Sequence, residues 1–238
     1  MSESEYIIER FGSNGMTVSE DKADQLTEFY SMLVEKNKVV NLTAITEFKD
    51  VVDKHFIDSA LLGKYVELEG RRLIDIGTGA GFPGIPLKIL YPNIKLTLLD
   101  SLNKRVVFLN EVIDALQLKD VIAVHARAEE LGNKTEHREQ YDIAVSRAVS
   151  NLSTLAEYCL PFVRVGGEFY SYKGSKADEE ISEAGNAIKT LGGELSESIS
   201  VSIDGTDYDR NIVKIIKKSS TPEKYPRSGN KPQSNPLR

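Results

Sequence analysis

Sulfur and imidazole are scarce in this chain: one cysteine, Cys159, and three histidines stand among 238 residues. A lone thiol excludes an internal disulfide. His55, His125 and His137 show no metal-ligand spacing, so no metal site is expected. No apolar run approaches the ~20 residues that span a bilayer, which argues against a helical membrane anchor. The opening Met1-Ser-Glu-Ser-Glu-Tyr-Ile-Ile-Glu9 is acidic and lacks the basic and apolar regions of a secretory signal. A reducing cytoplasm without membrane contact is the expectation. Also absent is the G-x-x-x-x-G-K-[ST] loop that cradles nucleoside triphosphates. An excess of positive charge is missing too, since the net charge is −6. Its distribution is uneven, however. From Lys214 to Arg238 there are seven basic residues and one acid, Glu223, so this stretch carries +6 and the remainder −12. A basic end on an acidic body can meet phosphates locally without making the whole surface adhesive.

What is present is a glycine run, Asp75-Ile-Gly-Thr-Gly-Ala-Gly-Phe-Pro-Gly84. Leu73, Ile74 and Ile76 lead into it as a strand, and a helix-compatible stretch begins near Ile85. Glycines at 77, 79 and 81 let the backbone turn sharply and approach a ligand beside the next helix's N-terminus. Asp100 closes the following apolar run, 23 residues after Gly77, where a Rossmann-like second strand presents a carboxylate to ribose hydroxyls. The dinucleotide fingerprint needs glycine at 82, where this chain has Phe82. A bulky ring there obstructs a pyrophosphate and suits a cofactor without phosphate. S-adenosylmethionine is therefore expected before a nicotinamide dinucleotide or a glycine turn with no ligand.

The pattern predicts a helix over 18–37, with Leu26, Phe29, Tyr30, Leu33 and Val34 on one face and a capping box from Thr17 to Glu20. A second helix is expected over 48–65. From residue 71 onward, strands are expected near 72–76, 95–99, 121–125, 141–145, 168–172, 195–203 and 210–216. Helices are expected near 84–91, 103–117, 151–160 and 176–191. Strand–helix alternation with short connections means an α/β, Rossmann-like fold: a seven-stranded, mostly parallel sheet ending in an antiparallel hairpin. Residues 1–65 form an N-terminal helical cap, 66–220 the Rossmann-like domain, and 221–238 a basic tail that looks extended. The crevice lies at the carboxyl ends of the strands, where the loops carry Gly77 to Gly84, Asp100 to Arg105, His125 to Glu130, and Ser146 to Val149.

These segments together resemble the 16S ribosomal RNA small-subunit methyltransferase G family, once called glucose-inhibited division protein B. The resemblance runs from Asn41-Leu-Thr-Ala-Ile45 to the C-terminus. It includes Lys54-His55-Phe-Ile-Asp58-Ser59, the glycine run, Asp100-Ser-Leu-Asn-Lys-Arg105, Arg127-Ala-Glu129, Arg147-Ala-Val149 and Lys224-Tyr-Pro-Arg227. One departure is Ser234, where members often carry lysine. The resemblance implies a class I S-adenosylmethionine-dependent methyltransferase acting on nitrogen 7 of a guanine near the decoding centre. The implied partner is 16S ribosomal RNA or the small subunit, with no obligate protein partner. It also implies that Gly77 and Phe82 contact the cofactor, Ala128 and Glu129 flank its adenine, and Arg147 lines the reaction side. Lys104, Arg105, Arg127, Lys224 and Arg227 are the candidates for RNA contact. A non-catalytic RNA-binding factor on the same scaffold is the alternative of a different class.

Absences point to the same target. Methylation at a pyrimidine carbon needs an attacking thiolate, and Cys159 lies mid-helix. Enzymes acting on exocyclic amines commonly carry (Asp/Asn)-Pro-Pro-aromatic after the fourth strand, and Ser146-Arg-Ala-Val149 holds no proline. Guanine N7 needs neither device. His55 reads more simply as a packed or capping residue than as a catalytic one.

Overall fold

The architecture, described from a computed structural model over residues 1–147 and 150–237, is a sheet with helices on both faces. Ala148 and Val149 of the fourth-strand motif, and Arg238 of the basic end, lie outside the described residues. The strands are β1 (Arg72–Ile76), β2 (Lys95–Asp100), β3 (Val121–His125), β4 (Tyr141–Arg147), β5 (Val163–Lys173), β6 (Gly193–Ser202) and β7 (Asp209–Lys217). Their spatial order is β3-β2-β1-β4-β5-β7-β6. All pairs are parallel except those of β7, which runs antiparallel to β5 and β6. All seven expected strands are present. The order reverses between β1 and β4, and a ligand crevice belongs at such a switch point.

Side-chain alternation assigns each face its helices. Leu73, Leu96, Leu98, Ile143, Val145 and Ile212 point to one core, and Ile74, Leu99, Ala144, Phe169 and Val213 to the other. The first core is shared with α1 (Glu3–Ser13), α2 (Glu20–Asn37), α5 (Gly84–Leu90) and α6 (Asn103–Ala115). The amino-terminal helices thus pack into the sheet's own core. The second core takes α7 (Ala128–Leu131), α8 (Leu152–Cys159) and α9 (Ala177–Thr190). Cys159 is buried there.

Three local expectations are corrected. The capping box forms at Ser2 and Glu5, which start a helix the sequence pattern did not suggest. At α2 the N-cap is Ser19, with no side-chain cap. The helix expected over 48–65 is broken into α3 (Phe48–Val51), a π-helical turn (Val52–Ile57), α4 (Asp58–Ala60) and a 3₁₀ turn (Leu61–Lys64). Single π turns inside helices are frequent at functional sites, and this one carries His55. The tail is not extended. Tyr225 is buried in the second core, Arg227 pairs with the fully buried Glu157, and α10 (Lys231–Ser234) follows.

Candidate functional site

The glycine run forms a tight loop between β1 and α5, and two carboxylates organise it. Asp75 Oδ2 accepts from the Thr78 hydroxyl at 2.7 Å and the Gly84 N–H at 2.9 Å. Asp100 Oδ2 accepts from the Gly79 N–H at 2.9 Å, and its Oδ1 accepts from the Leu102 N–H at 2.8 Å. The Arg105 guanidinium also reaches Asp100 Oδ2, at 3.3 Å. Asp75 is fully buried, and desolvation pushes its carboxyl up to about 7. Its Oδ1 is left without a partner. The glycines have separate reasons. Gly79 sits at φ +62 with nothing within 4 Å of where a Cβ would stand, so it borders open space. At Gly84 a Cβ would meet Leu98 Cδ2 at 2.4 Å and Asp75 Oδ2 at 2.9 Å, so there the absent side chain lets helix and sheet close up.

Two adjoining cavities open above this loop and share Gly77, Asp100 and Ser101. The larger, about 380 Å³, is bounded by Thr43, His55, Gly79, Phe82, Arg105 and Arg147. The smaller, about 180 Å³, is lined by the apolar Ile76, Leu99, Ala126 and Ala128 together with Arg127, Glu129 and Tyr158. A polar end with a backbone cradle joined to a partly apolar slot fits an amino-acid group joined to a nucleoside. The open Gly79 cradle and the remaining acceptor capacity of Asp100 suit such a ligand.

The larger cavity is lined by a fixed cationic network. Arg147 reaches into it from the end of β4, only 9 % exposed, with its guanidinium 5.0 Å from the centre of the Phe82 ring. Its Nη1 donates to Asp58 Oδ2 at 2.7 Å and to the Lys54 carbonyl at 3.0 Å, an acceptor on the π turn. Asp58 is fully buried, and its other oxygen takes Arg210 Nε at 3.0 Å. Arg147 Nη2 lies 3.2 Å from His55 Nδ1. Nδ1 also lies 3.0 Å from the Lys54 carbonyl, and Nε2 lies 2.9 Å from Thr43 Oγ1, so both ring nitrogens are engaged whichever of them carries the proton. Burial, with the Arg147 charge second, pulls the imidazole down to about 3, so His55 is neutral. The His55 ring lies against Phe82 at 4.4 Å between centroids, and Phe82 in turn packs on Phe29 and Phe56 of the cap helices.

All six cofactor candidates (Gly77, Phe82, Asp100, Ala128, Glu129 and Arg147) therefore line one crevice. The five RNA candidates divide. Arg105 is tied to Asp100, Arg127 to Glu129 at 2.6 Å, and Arg227 to Glu157 at 2.7 Å. Lys104 is exposed on α6, and Lys224 is exposed with its ammonium over the Tyr225 ring. Thr43, Asp58, Tyr158, Arg210 and Gln233 were not singled out as site residues. Thr43 and Asp58 fall inside the motifs Asn41 to Ile45 and Lys54 to Ser59, whereas Tyr158 and Gln233 carry no local signal.

The strand order, the glycine loop and the β2 carboxylate define a class I S-adenosylmethionine-dependent methyltransferase. The fold matches the crystal structure of such a methyltransferase from Aquifex aeolicus with a TM-score of 0.54 and 16% identity, covering 77% of this chain and 98% of that one. The family model described as rRNA small subunit methyltransferase G matches residues 22–213. Ribosomal RNA small subunit methyltransferase G of Lachnoclostridium phytofermentans is 48% identical over 238 residues, 100% of this chain and 98% of the relative. That of Alkaliphilus oremlandii is 49% identical over 231 residues, 95% and 96% of the two chains. The chain belongs to the rRNA small subunit methyltransferase G family, and is an S-adenosylmethionine-dependent enzyme that methylates small-subunit ribosomal RNA. Among the described residues no helix is long and apolar enough to cross a membrane.

Proposed function

We propose that this enzyme methylates nitrogen 7 of a guanine in 16S ribosomal RNA near the decoding centre, by direct in-line transfer with no covalent enzyme intermediate. One observation carries the reading: among the described residues, the larger cavity is lined by the held Arg147 guanidinium and by no cysteine. Cys159 borders neither cavity, and burial raises its thiol well above the ordinary range. The neutral His55 has both ring nitrogens engaged, Nε2 with Thr43 and Nδ1 with the Lys54 carbonyl and Arg147. Guanine N7 suits such a site, because it carries a lone pair and no proton at neutral pH.

S-adenosylmethionine supplies, when bound, a methyl group on an electron-poor sulfonium. The residues of this chain do the positioning. Gly77 and the Gly79 backbone border the cofactor, Asp100 keeps lone pairs for ribose hydroxyls, and Ala128 and Glu129 flank the adenine. Phe82 and Arg147 form the side where the target base enters. Two Arg147 N–H donors are engaged by Lys54 and Asp58, which fixes the plane of the guanidinium. Alignment alone supplies on the order of 7–11 kcal/mol in favourable systems, so no general base is required. N7 in regular A-form RNA faces a groove too narrow for side chains, so the substrate guanine stands in a loop or is unstacked. Lys104, Arg105, Arg127, Lys224 and Arg227 remain the candidates for phosphate contact, with the exposed Lys104 and Lys224 foremost. The enzyme acts in the cytoplasm, on 16S RNA or the small subunit, with no membrane and no obligate protein partner.

The test is incubation with labelled donor and small subunits lacking the modification, beside deproteinised RNA, followed by mapping of the methylated base. Label on guanine N7 is expected. Label on an exocyclic amine, a pyrimidine carbon or a ribose hydroxyl would overturn the assignment.

A further inference from the structure

The C-terminal segment is fastened down on both sides of one residue. Ahead of it, Arg138 donates to the Thr221 and Tyr225 carbonyls at 2.8 and 2.9 Å, and Arg227 makes a two-pronged contact with Glu157. Behind it, Arg227 Nη2 also holds the Asn235 carbonyl at 2.9 Å. The Thr154 hydroxyl donates to the carbonyl of Pro232, itself buried, at 3.0 Å. Between these fixings stands Gln233, which lines the smaller cavity together with Ile76, Leu99 and Ala128. Among the described residues nothing hydrogen-bonds its side-chain amide, and no ion pair or ring contact engages it. A segment held this firmly, with an unbonded amide residue lining a cavity, is arranged as the wall of a binding site.

We propose that Gln233 reads the edge of the cofactor's adenine, so that the C-terminal segment completes the cofactor site. The chemistry is complementary. A primary amide offers one donor and one acceptor side by side. Adenine presents the 6-amino donor next to a ring-nitrogen acceptor on either of its polar edges. Ile76, Leu99, Ala126 and Ala128 can accept any purine, and the Gln233 amide adds a donor–acceptor pair that favours adenine over a base lacking the amino group. This inference rests on the reading above that the adenine occupies the slot beside Ala128 and Glu129.

The test is calorimetric affinity of the full chain for S-adenosylhomocysteine and for its analogue lacking the 6-amino group. Wild type is expected to bind the analogue about tenfold more weakly, the order of one buried hydrogen bond. Gln233→Ala should weaken S-adenosylhomocysteine by about the same factor and shrink the difference between the two ligands. Because Gln233 is exposed in the free protein, its unfolding midpoint should not move. Equal affinities of wild type for the two ligands, or a Gln233→Ala ratio equal to that of wild type, would overturn the proposal. Ala128→Phe fills the slot and separates the two readings. If it abolishes binding while Gln233→Ala changes nothing, only the role of Gln233 falls. If a folded Ala128→Phe binds normally, the adenine lies elsewhere and both readings fall.

Discussion

Replacing Asp58 with alanine removes the carboxylate that joins Arg147 to Arg210, and its cost can be worked from the geometry. Asp58 is fully buried and contacts the two guanidiniums at 2.7 and 3.0 Å. At an effective dielectric of about 20, each contact is worth about 6 kcal/mol of Coulomb attraction, most of it offset by desolvation of the three ions. Removing one partner of such a buried group typically costs roughly 3–5 kcal/mol, because the remaining charge is stranded. Arg147 retains the Lys54 carbonyl, and Arg210 retains the Tyr208 hydroxyl, so the lower end applies. About 3 kcal/mol corresponds to a fall of roughly 6–12 °C in melting temperature for a chain of this size. Urea unfolding should show a lower midpoint at unchanged slope, which separates lost stability from a change in the surface exposed. Methyl transfer should fall more than stability does, because Arg147 loses the contact that fixes its plane. Restoring packing with Asp58→Leu, Arg147→Met and Arg210→Met together should recover much of the stability and none of the activity. An Asp58→Ala midpoint within about 0.5 kcal/mol of wild type would refute the argument, since a change that small is typical of exposed sites.

Two buried groups give the stability opposite dependences on pH. His55 has its folded value lowered to about 3, so its contribution is present above the ordinary 6.5 and is lost as pH falls toward 3. Asp75 has its folded value raised to about 7, so its contribution is present below the ordinary 3.8 and is lost as pH rises through 7. Wild type should therefore show a shallow profile between pH 4 and 6.5. Asp75→Asn should expose a stability that climbs with pH, and His55→Gln one that declines; parallel profiles for all three proteins would show the balance to be absent. Gly77→Val should block the loop's approach to the cofactor, whereas Gly84→Ala should act through folding, losing about 1–3 kcal/mol as its Cβ meets Leu98 and Asp75; calorimetry and urea melts distinguish the two. Truncation after Ser220 removes Tyr225 from the core and strands the buried Glu157, so the melting temperature should drop, and an unchanged value would contradict the docked tail. By contrast Lys104→Ala and Lys224→Ala should leave stability intact and lower the salt slope of RNA binding by roughly 0.7–0.9 each; equal slopes would remove them from the interface.

The sequence by itself determined the seven strands, the glycine loop with its distant aspartate, and the cofactor class, because these signals are local. Alternating apolar residues mark a strand wherever it pairs, and glycine spacing is a backbone property read without neighbours. The helix expected over 48–65 shows where local reading stops. Its apolar period is visible, but no local signal marks the π turn, and only the fold sets the Lys54 carbonyl and His55 beside Arg147, 93 and 92 residues away in sequence. The basic tail shows the same limit more sharply. Composition marks Arg227 as a free cation, and only the fold brings it to Glu157, 70 residues away in sequence, fully buried and with no other ion pair among the described residues. Whether a charge is offered to solvent or consumed inside depends on which partner the chain's return path sets beside it. That is a property of long-range contacts, and only the tertiary structure decided it.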